Sequence, residues 1–340
     1  MSSKKALLGI TQDELNHILS KLNMPEYIAK QITYWLYKKK VFSISEMTNI
    51  SLLHRKQLSK YFYIGRKIYS NREESSDGTI KYLFLVKKKY FIESVYIPHK
   101  KRKTLCISSQ IGCRMRCIFC MTGKQGFKGQ LKTRDIINQI LSIPETNSLT
   151  NIVFMGMGEP LDNIRVLFKV LEILTSDYGL AWSPKRITVS TVGIIPELKH
   201  FLKKSKVHLA VSIHSPFHIE RISLSPVEKK HPITEIINII QKYNFYNQRK
   251  ISFEYIIFSG LNDSIKHAFA LYKLLKNIHC RVNLLKYNSL LNTSLPSSNL
   301  AKMIAFCKYL NSKKIICTIR SSRGADISAA CGMLCTKHYY

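Results

Sequence analysis

Residues 151–176, NIVFMGMGEPLDNIRVLFKVLEILTS, decide the fold. A short apolar run, NIVFMG, passes through a glycine turn into IRVLFKVLEILTS, a longer segment with helical spacing. The same strand-then-helix unit recurs on both sides. TLCISSQ precedes TRDIINQILSI, RITVSTV precedes IPELKHFLKKS, and HLAVSIH precedes PITEIINIIQKY. KISFEYIIF then precedes IKHAFALYKLLKNI, and CRVNLLKYN precedes NLAKMIAFCKYLN. Six βα units at this spacing predict a parallel sheet built by right-handed crossovers, closing as a partial (βα)6 TIM-type barrel, an open three-quarter barrel. In such folds chemistry sits at the C-terminal ends of the strands. Polar residues fall there: Gly158 and Glu159 after the second strand, Ser190 late in the third, Ser212 and His214 ending the fourth, Asn288 ending the sixth.

Upstream the pattern differs. Residues 1–64 read as short helices forming an accessory domain: Thr11 caps a stretch ending near Leu22, Pro25 opens EYIAKQITYWLYKKK, and Ser43 to Tyr61 continues at helical spacing. The period then changes to two. KIYSNREE, the turn SSDGT, IKYLFLV and YFIESVYIP predict connecting antiparallel strands over 65–98. The core barrel is expected over 99–335, followed by a tail at 336–340.

The chain of 340 residues carries 53 Lys and Arg against 21 Asp and Glu, a net charge of +32, so a polyanion is the expected partner. The excess is concentrated. Between Ser94 and Arg134 there are ten Lys or Arg residues and no acidic one, and this zone brackets the stretch CISSQIGCRMRCIFC, Cys106 to Cys120. MSSKKALLGITQDELNH contains no apolar region of leader length, and no segment offers eighteen uninterrupted apolar residues, so a cytosolic chain without membrane attachment is expected.

Nine cysteines, four of them within fifteen residues, do not suit a secreted disulfide framework. They suit metal binding or thiol chemistry. Cys113, Cys117 and Cys120 form C-x3-C-x2-C with Phe119 before the last. A four-iron cluster normally takes four thiolates, so three leave one iron open to a small ligand. The alternative is zinc with a fourth ligand such as His214. Cys280, Cys307 and Cys317 lie in strand or helix interiors and read as core; Cys335 has no evident role.

The triplet, with GMGEP at Gly156–Pro160, resembles the radical SAM superfamily. SSDGTIK, VYIP, CISSQIGC, QGF, FMGMGEPL, STVGIIP, VSIHSP, GLND and DISAACGML narrow the likeness, over residues 12–334, to the RlmN family of dual-specificity RNA methyltransferases. The resemblance implies a barrel of the radical SAM kind. It also implies a 4Fe-4S cluster on Cys113, Cys117 and Cys120, and S-adenosylmethionine bound by Gly158, Glu159, Ser190, Ser212, Ile213, His214 and Asn288. The implied substrates are 23S ribosomal RNA, at an adenosine near the peptidyl-transferase centre, and tRNA, at the adenosine 3′ of the anticodon, each methylated on carbon 2. The implied chemistry uses two S-adenosylmethionine molecules. One methylates Cys331; the other, reductively cleaved, yields the radical that activates that methyl group for addition to the base. Cys106 then resolves the adduct through a transient disulfide with Cys331, and Glu93 handles the proton. A flavodoxin-like electron donor and a monomeric enzyme are further expectations. The alternatives are a related carbon-8 methyltransferase and, from another class, a non-catalytic metal-containing RNA-binding protein.

Overall fold

The computed structural model describes residues 4–87, 89–243, 245, 251–289 and 295–336. Residues 337–340, most of the expected tail, lie outside the described residues. Ten strands form one mixed sheet: β1 (Asn71–Glu74), β2 (Ile80–Val86), β3 (Tyr90–His99), β4 (Arg102–Cys106), β5 (Asn151–Phe154), β6 (Ile187–Thr191), β7 (His208–Ser212), β8 (Ile251–Ile257), β9 (Cys280–Lys286) and β10 (Ile316–Arg320). Their order across the sheet is their order in the chain. β4 to β10 are parallel, whereas β1, β2 and β3 pair antiparallel and β3 joins β4 antiparallel. Among the described residues β1 and β10 remain unpaired with each other, so the sheet is open.

The antiparallel strands expected over 65–98 form, and β3 runs on to His99 and carries the same ladder into β4 through pairs such as Val95 with Cys106. A seventh parallel strand, β10, closes the sixth unit. It went unread because it is an edge strand with three of its five residues exposed, so it lacks the apolar run of the buried strands.

The crossover helices show why the pattern folds this way. Helix Ile164–Thr175 buries Leu167, Val170, Leu171 and Leu174, and helix Ile233–Gln241 buries Ile233, Ile236, Ile237 and Ile240. Both stripes follow the i, i+3, i+4, i+7 rule for a helix with one apolar face. On the sheet, Ile187 and Val189, or Phe253 and Tyr255, join that helical layer, while the alternate residues turn toward the concave face.

In the accessory region, Thr11 and Glu14 form a reciprocal capping box at the start of helix Gln12–Ser20. Helix Tyr27–Thr33 widens into a π-helical stretch, Tyr34–Lys39. Ser43 to Tyr61 is not one helix: a 3-10 turn at Ile44–Glu46 is separated from helix Leu52–Tyr61, where Ser51 accepts from the His54 amide. Strand Lys5–Ala6 pairs with Phe62–Tyr63 and so ties the two ends of the region together. Asn138 then holds Lys67 by paired bonds of 2.8 and 2.9 Å, fixing the region to the first crossover helix.

Candidate active site

The cysteine loop leaves the C-terminal end of β4. Gly112 (φ +72°) lets it pass against Gly126, whose carbonyl oxygen would lie 1.7 Å from any Cβ at position 112. The Cys113 amide donates to the Gly126 carbonyl at 3.2 Å, and the Cys120 amide to the Cys117 carbonyl at 3.2 Å. Cys113 and Cys117 are buried and Cys120 is half-buried. Phe119 stands edge-on to His214, ring centroids 4.6 Å apart, within an apolar cluster of Cys117, Leu224, Ile256, Phe258 and Tyr287.

Burial pushes the Cys113 thiol well above its ordinary value and the Cys117 thiol up to about 12. Two buried thiols whose ionised forms are opposed by their surroundings require bound positive charge to become thiolates, as iron provides. Among the described residues no three His, Cys, Asp or Glu side chains gather closely enough for a single ion. The His214 Nδ1 accepts from the Ile256 amide at 3.0 Å, and burial holds that ring's pKa near 3, so the imidazole is neutral and its Nδ1 engaged. With its ring neutral and Nδ1 engaged, His214 does not supply the fourth zinc ligand, and the three-cysteine loop fits a 4Fe-4S cluster that it would hold when bound.

The predicted cofactor residues converge on one rim. Gly158 (φ +98°) follows β5, and a Cβ there would sit 2.5 Å from the Gln110 Cβ, so the GMGEP turn can press onto the cysteine loop only with glycine. Next to it, the buried Glu159 carboxylate accepts from Thr191 Oγ1 at 2.6 Å, the Val192 amide at 3.0 Å and the Leu161 amide at 3.0 Å. Burial raises its pKa to about 7 against those bonds. Ser190 and Ser212, both partly open, lie on β6 and β7, and Ile213 and His214 continue β7 into the rim. Asn288 stands two residues beyond β9 and accepts from the Ser322 hydroxyl at 2.6 Å.

The third group surrounds the C-terminal loop. Glu93 on β3 is buried, and burial raises its pKa to about 7 although Lys81 Nζ stands 3.6 Å away. The amide of Cys335 donates to Glu93 Oε2 at 2.8 Å. Cys106 is buried at the end of β4, and the exposed Cys331 stands near enough to push the Cys106 thiol further upward. Desolvation pushes both thiols upward. The loop carrying Cys331 is pinned on several sides: the Met121 amide donates to the Gly332 carbonyl at 2.7 Å, Thr122 Oγ1 to the Leu334 carbonyl at 2.8 Å, Ser75 Oγ to Asp326 at 2.6 Å, and Lys81 Nζ to the Ile327 carbonyl at 2.7 Å. Cys280 and Cys317 are core residues as expected, and Cys307 is half-buried.

Two features of the site were not singled out in the sequence. Glu254 on β8 is buried, accepts from Ser252 at 2.9 Å and Asn283 at 2.8 Å, and opposes ionisation of Cys331. The alternation of KISFEYIIF already set it on the face opposite Phe253 and Tyr255. Arg221, 1% exposed, donates from Nε to the Ile213 carbonyl at 3.0 Å and from Nη2 to the Val192 and Ser212 carbonyls at 3.1 Å each, and pairs with the buried Glu228. Within HIERISL nothing distinguished it from a surface arginine.

At the cysteine-loop end of the sheet Arg114, Arg116, Lys124, Lys128 and Lys132 are exposed and Arg134 is partly covered, whereas Lys100, Lys101, Arg102 and Lys103 lie in the β3–β4 hairpin at the opposite, N-terminal end of β4, so the basic zone read as bracketing the cysteines is divided between two ends of the sheet. The Arg114 guanidinium stacks over Phe127 at 3.8 Å. Among the described residues no helix is long and apolar enough to cross a membrane.

An open parallel barrel with a three-cysteine loop at its first strand end and a glycine–glutamate turn at its second defines a radical SAM protein; residues 107–271 match the model of the radical SAM superfamily. Members of that superfamily use S-adenosylmethionine and a 4Fe-4S cluster. Residues 5–64 match the ribosomal RNA large subunit methyltransferase N-terminal domain. The chain is 58% identical over 336 residues to a probable dual-specificity RNA methyltransferase RlmN of Parabacteroides distasonis, covering 99% of this chain and 98% of the relative. It is 41% identical to the dual-specificity RNA methyltransferase RlmN of Campylobacter curvus, covering 97% and 93%. The crystal structure of a radical SAM methyltransferase from Sphaerobacter thermophilus superposes with a TM-score of 0.91 at 34% identity, covering 97% of this chain and 99% of that one. The chain therefore belongs to the RlmN family of radical SAM RNA methyltransferases.

Proposed function

We propose that this enzyme methylates carbon 2 of adenosine in 23S ribosomal RNA and in tRNA through a methylated Cys331 and a transient protein–RNA adduct. The observation that supports the reading is that the C-terminal loop carrying Cys331 is seated on this rim, with the Cys335 amide bonded to Glu93, the Met121 amide to the Gly332 carbonyl, and Cys331 near enough to Cys106 to act on its thiol. Carbon 2 of adenine is electron-poor and cannot attack a sulfonium methyl, whereas a thiolate can. Cys331 is the thiol that solvent and substrate can reach.

In this reading Cys113, Cys117 and Cys120 hold the 4Fe-4S cluster, and Gly158, Glu159, Ser190, Ser212, Ile213, His214 and Asn288 line the S-adenosylmethionine pocket. When bound, the cluster supplies the electron that cleaves S-adenosylmethionine to a radical. Cys331 carries the methyl group and presents it to the base. Glu93, poised near neutrality, takes the proton from carbon 2. The Cys106 thiolate attacks the Cys331 sulfur, forming the disulfide and breaking the bond from that sulfur to the methylene carbon, which takes up a proton as the methylated base departs; a thiol reductant then supplies two electrons and two protons to restore both thiols. The exposed basic rim grips phosphate while the adenosine is extruded from its stack. A flavodoxin-like electron donor, a monomeric state and a cytoplasmic location complete the proposal.

The test is anaerobic reconstitution with iron and sulfide, reduction with S-adenosylmethionine and RNA, and mass analysis of the nucleosides. Both 5′-deoxyadenosine and 2-methyladenosine are expected. An 8-methyl product would assign the carbon-8 chemistry, and iron loading without 5′-deoxyadenosine would assign a binding protein.

A further inference from the structure

The segment that follows β7 returns to the cysteine loop. Helix His218–Leu224 ends at Ser225, which is 1% exposed, and the Ser225 hydroxyl lies 3.1 Å from the buried Cys117 sulfur. One residue away, the Ile118 amide donates to the Leu224 carbonyl at 3.1 Å, so the two segments are joined by backbone as well as by side chain. Arg221 keeps this arrangement stiff. Its guanidinium spans three carbonyls at the ends of β6 and β7, and the Ser225 amide donates to the Arg221 carbonyl at 2.7 Å.

We propose that Ser225 is a positioning residue that tunes the Cys117 corner of the cluster by donating its hydroxyl proton to the ligating sulfur. The inference rests on the reading of Cys117 as a cluster ligand. Between a thiol and a hydroxyl either atom could donate, but a sulfur bound to iron has no proton, so the hydroxyl must be the donor. A hydrogen bond to a ligating sulfur stabilises the more negative, reduced cluster, and its weight grows where water is excluded. Ser225 therefore raises the cluster's reduction potential and makes one corner electronically distinct from those of Cys113 and Cys120. The donor comes from the segment that also carries Ser212, Ile213 and His214, so the proposed cofactor rim and the cluster corner share one rigid mounting.

The experiment compares wild type, Ser225→Ala and Ser225→Thr, each reconstituted anaerobically, by iron content and by potentiometric titration of the visible absorbance and the reduced-cluster electron paramagnetic resonance signal. Expected are equal iron content in all three, a potential shifted negative in Ser225→Ala, and a potential returned toward wild type in Ser225→Thr, which restores the hydroxyl. An unchanged potential in Ser225→Ala overturns the proposal. So does iron loss in Ser225→Ala, which would make the hydroxyl a building element of the loop and not a tuner. Failure of the wild type itself to hold a cluster would instead overturn the underlying ligand assignment.

Discussion

The backbone amide of Cys335 donates to Glu93 Oε2 at 2.8 Å across 242 residues of chain. The C-terminal loop is thereby seated on the carboxylate proposed to handle the substrate proton. Because burial dominates, with Lys81 opposing it, Glu93 holds its proton to about pH 7, far above its ordinary 4.5. An acid with a raised folded-state pKa contributes stability that is full below its unfolded value and is lost as pH rises through the folded one. Urea unfolding of the apoprotein should show this loss between about pH 4.5 and about pH 7, and the Glu93→Gln protein should show a smaller one, the remainder coming from the similarly raised Glu159. Equal pH profiles for the two proteins would contradict the burial argument. The same variant should bind S-adenosylmethionine but form little 2-methyladenosine.

Gly158 offers a mutation whose cost is steric. A side chain at φ +98° with its Cβ 2.5 Å from Gln110 Cβ forces the GMGEP turn away from the cysteine loop. Gly158→Ala is expected to cost about 1–3 kcal/mol in denaturant unfolding and to weaken S-adenosylmethionine binding measured by equilibrium dialysis. Wild-type affinity in this variant would separate the turn from the cofactor.

Cys106 and Cys331 should fail in different ways. Cys331→Ala has no methyl acceptor and should leave RNA free. Cys106→Ala should complete addition and stall, giving a nuclease-sensitive protein–RNA band on a denaturing gel, absent in the double variant. Identical behaviour of the two single variants would refute the division of labour.

The proposed grip of the exposed basic residues on phosphate predicts that RNA affinity depends on salt. Log affinity should fall with log salt by roughly 0.7–0.9 per phosphate neutralised, measured by filter binding. Replacing both Arg114 and Arg116 by Gln should flatten that slope, and an unchanged slope would place the contact elsewhere.

The cysteine loop should hold iron only as a complete set. Cys117→Ala is expected to lose the visible absorbance of the reconstituted protein together with 5′-deoxyadenosine formation. A full iron complement in that variant would dismiss Cys117 as a ligand.

The barrel was legible because a change of period marks each strand end from Gly158 to His214, reinforced by glycine after β5 (Gly158) and β6 (Gly193), and those ends are where the rim assembles. What escaped reading was set by partners distant in sequence. β10 is an edge strand whose apolar residues alternate too weakly to announce it. Glu254 and Arg221 look like ordinary charges until Asn283 and Ser252, or the carbonyls of Val192, Ser212 and Ile213, are seen around them. Nothing local in FIESVYIP marks Glu93 as buried; the loop at Cys335, whose amide bonds to its carboxylate, covers it. Pattern reports a residue's period, and burial of a charge depends on what folds over it.

The strictly sequential strand order has a temporal counterpart. During synthesis each βα unit can dock on its completed neighbour as it emerges, so the barrel grows from one edge. Cys331 is made after every strand of the sheet, and its loop must then close back onto Ser75, Lys81, Glu93 and Thr122. On the proposed mechanism, a nascent chain lacks the thiol assigned to carry the methyl group until every strand of the sheet has been made, and a partly made copy has no means of trapping RNA.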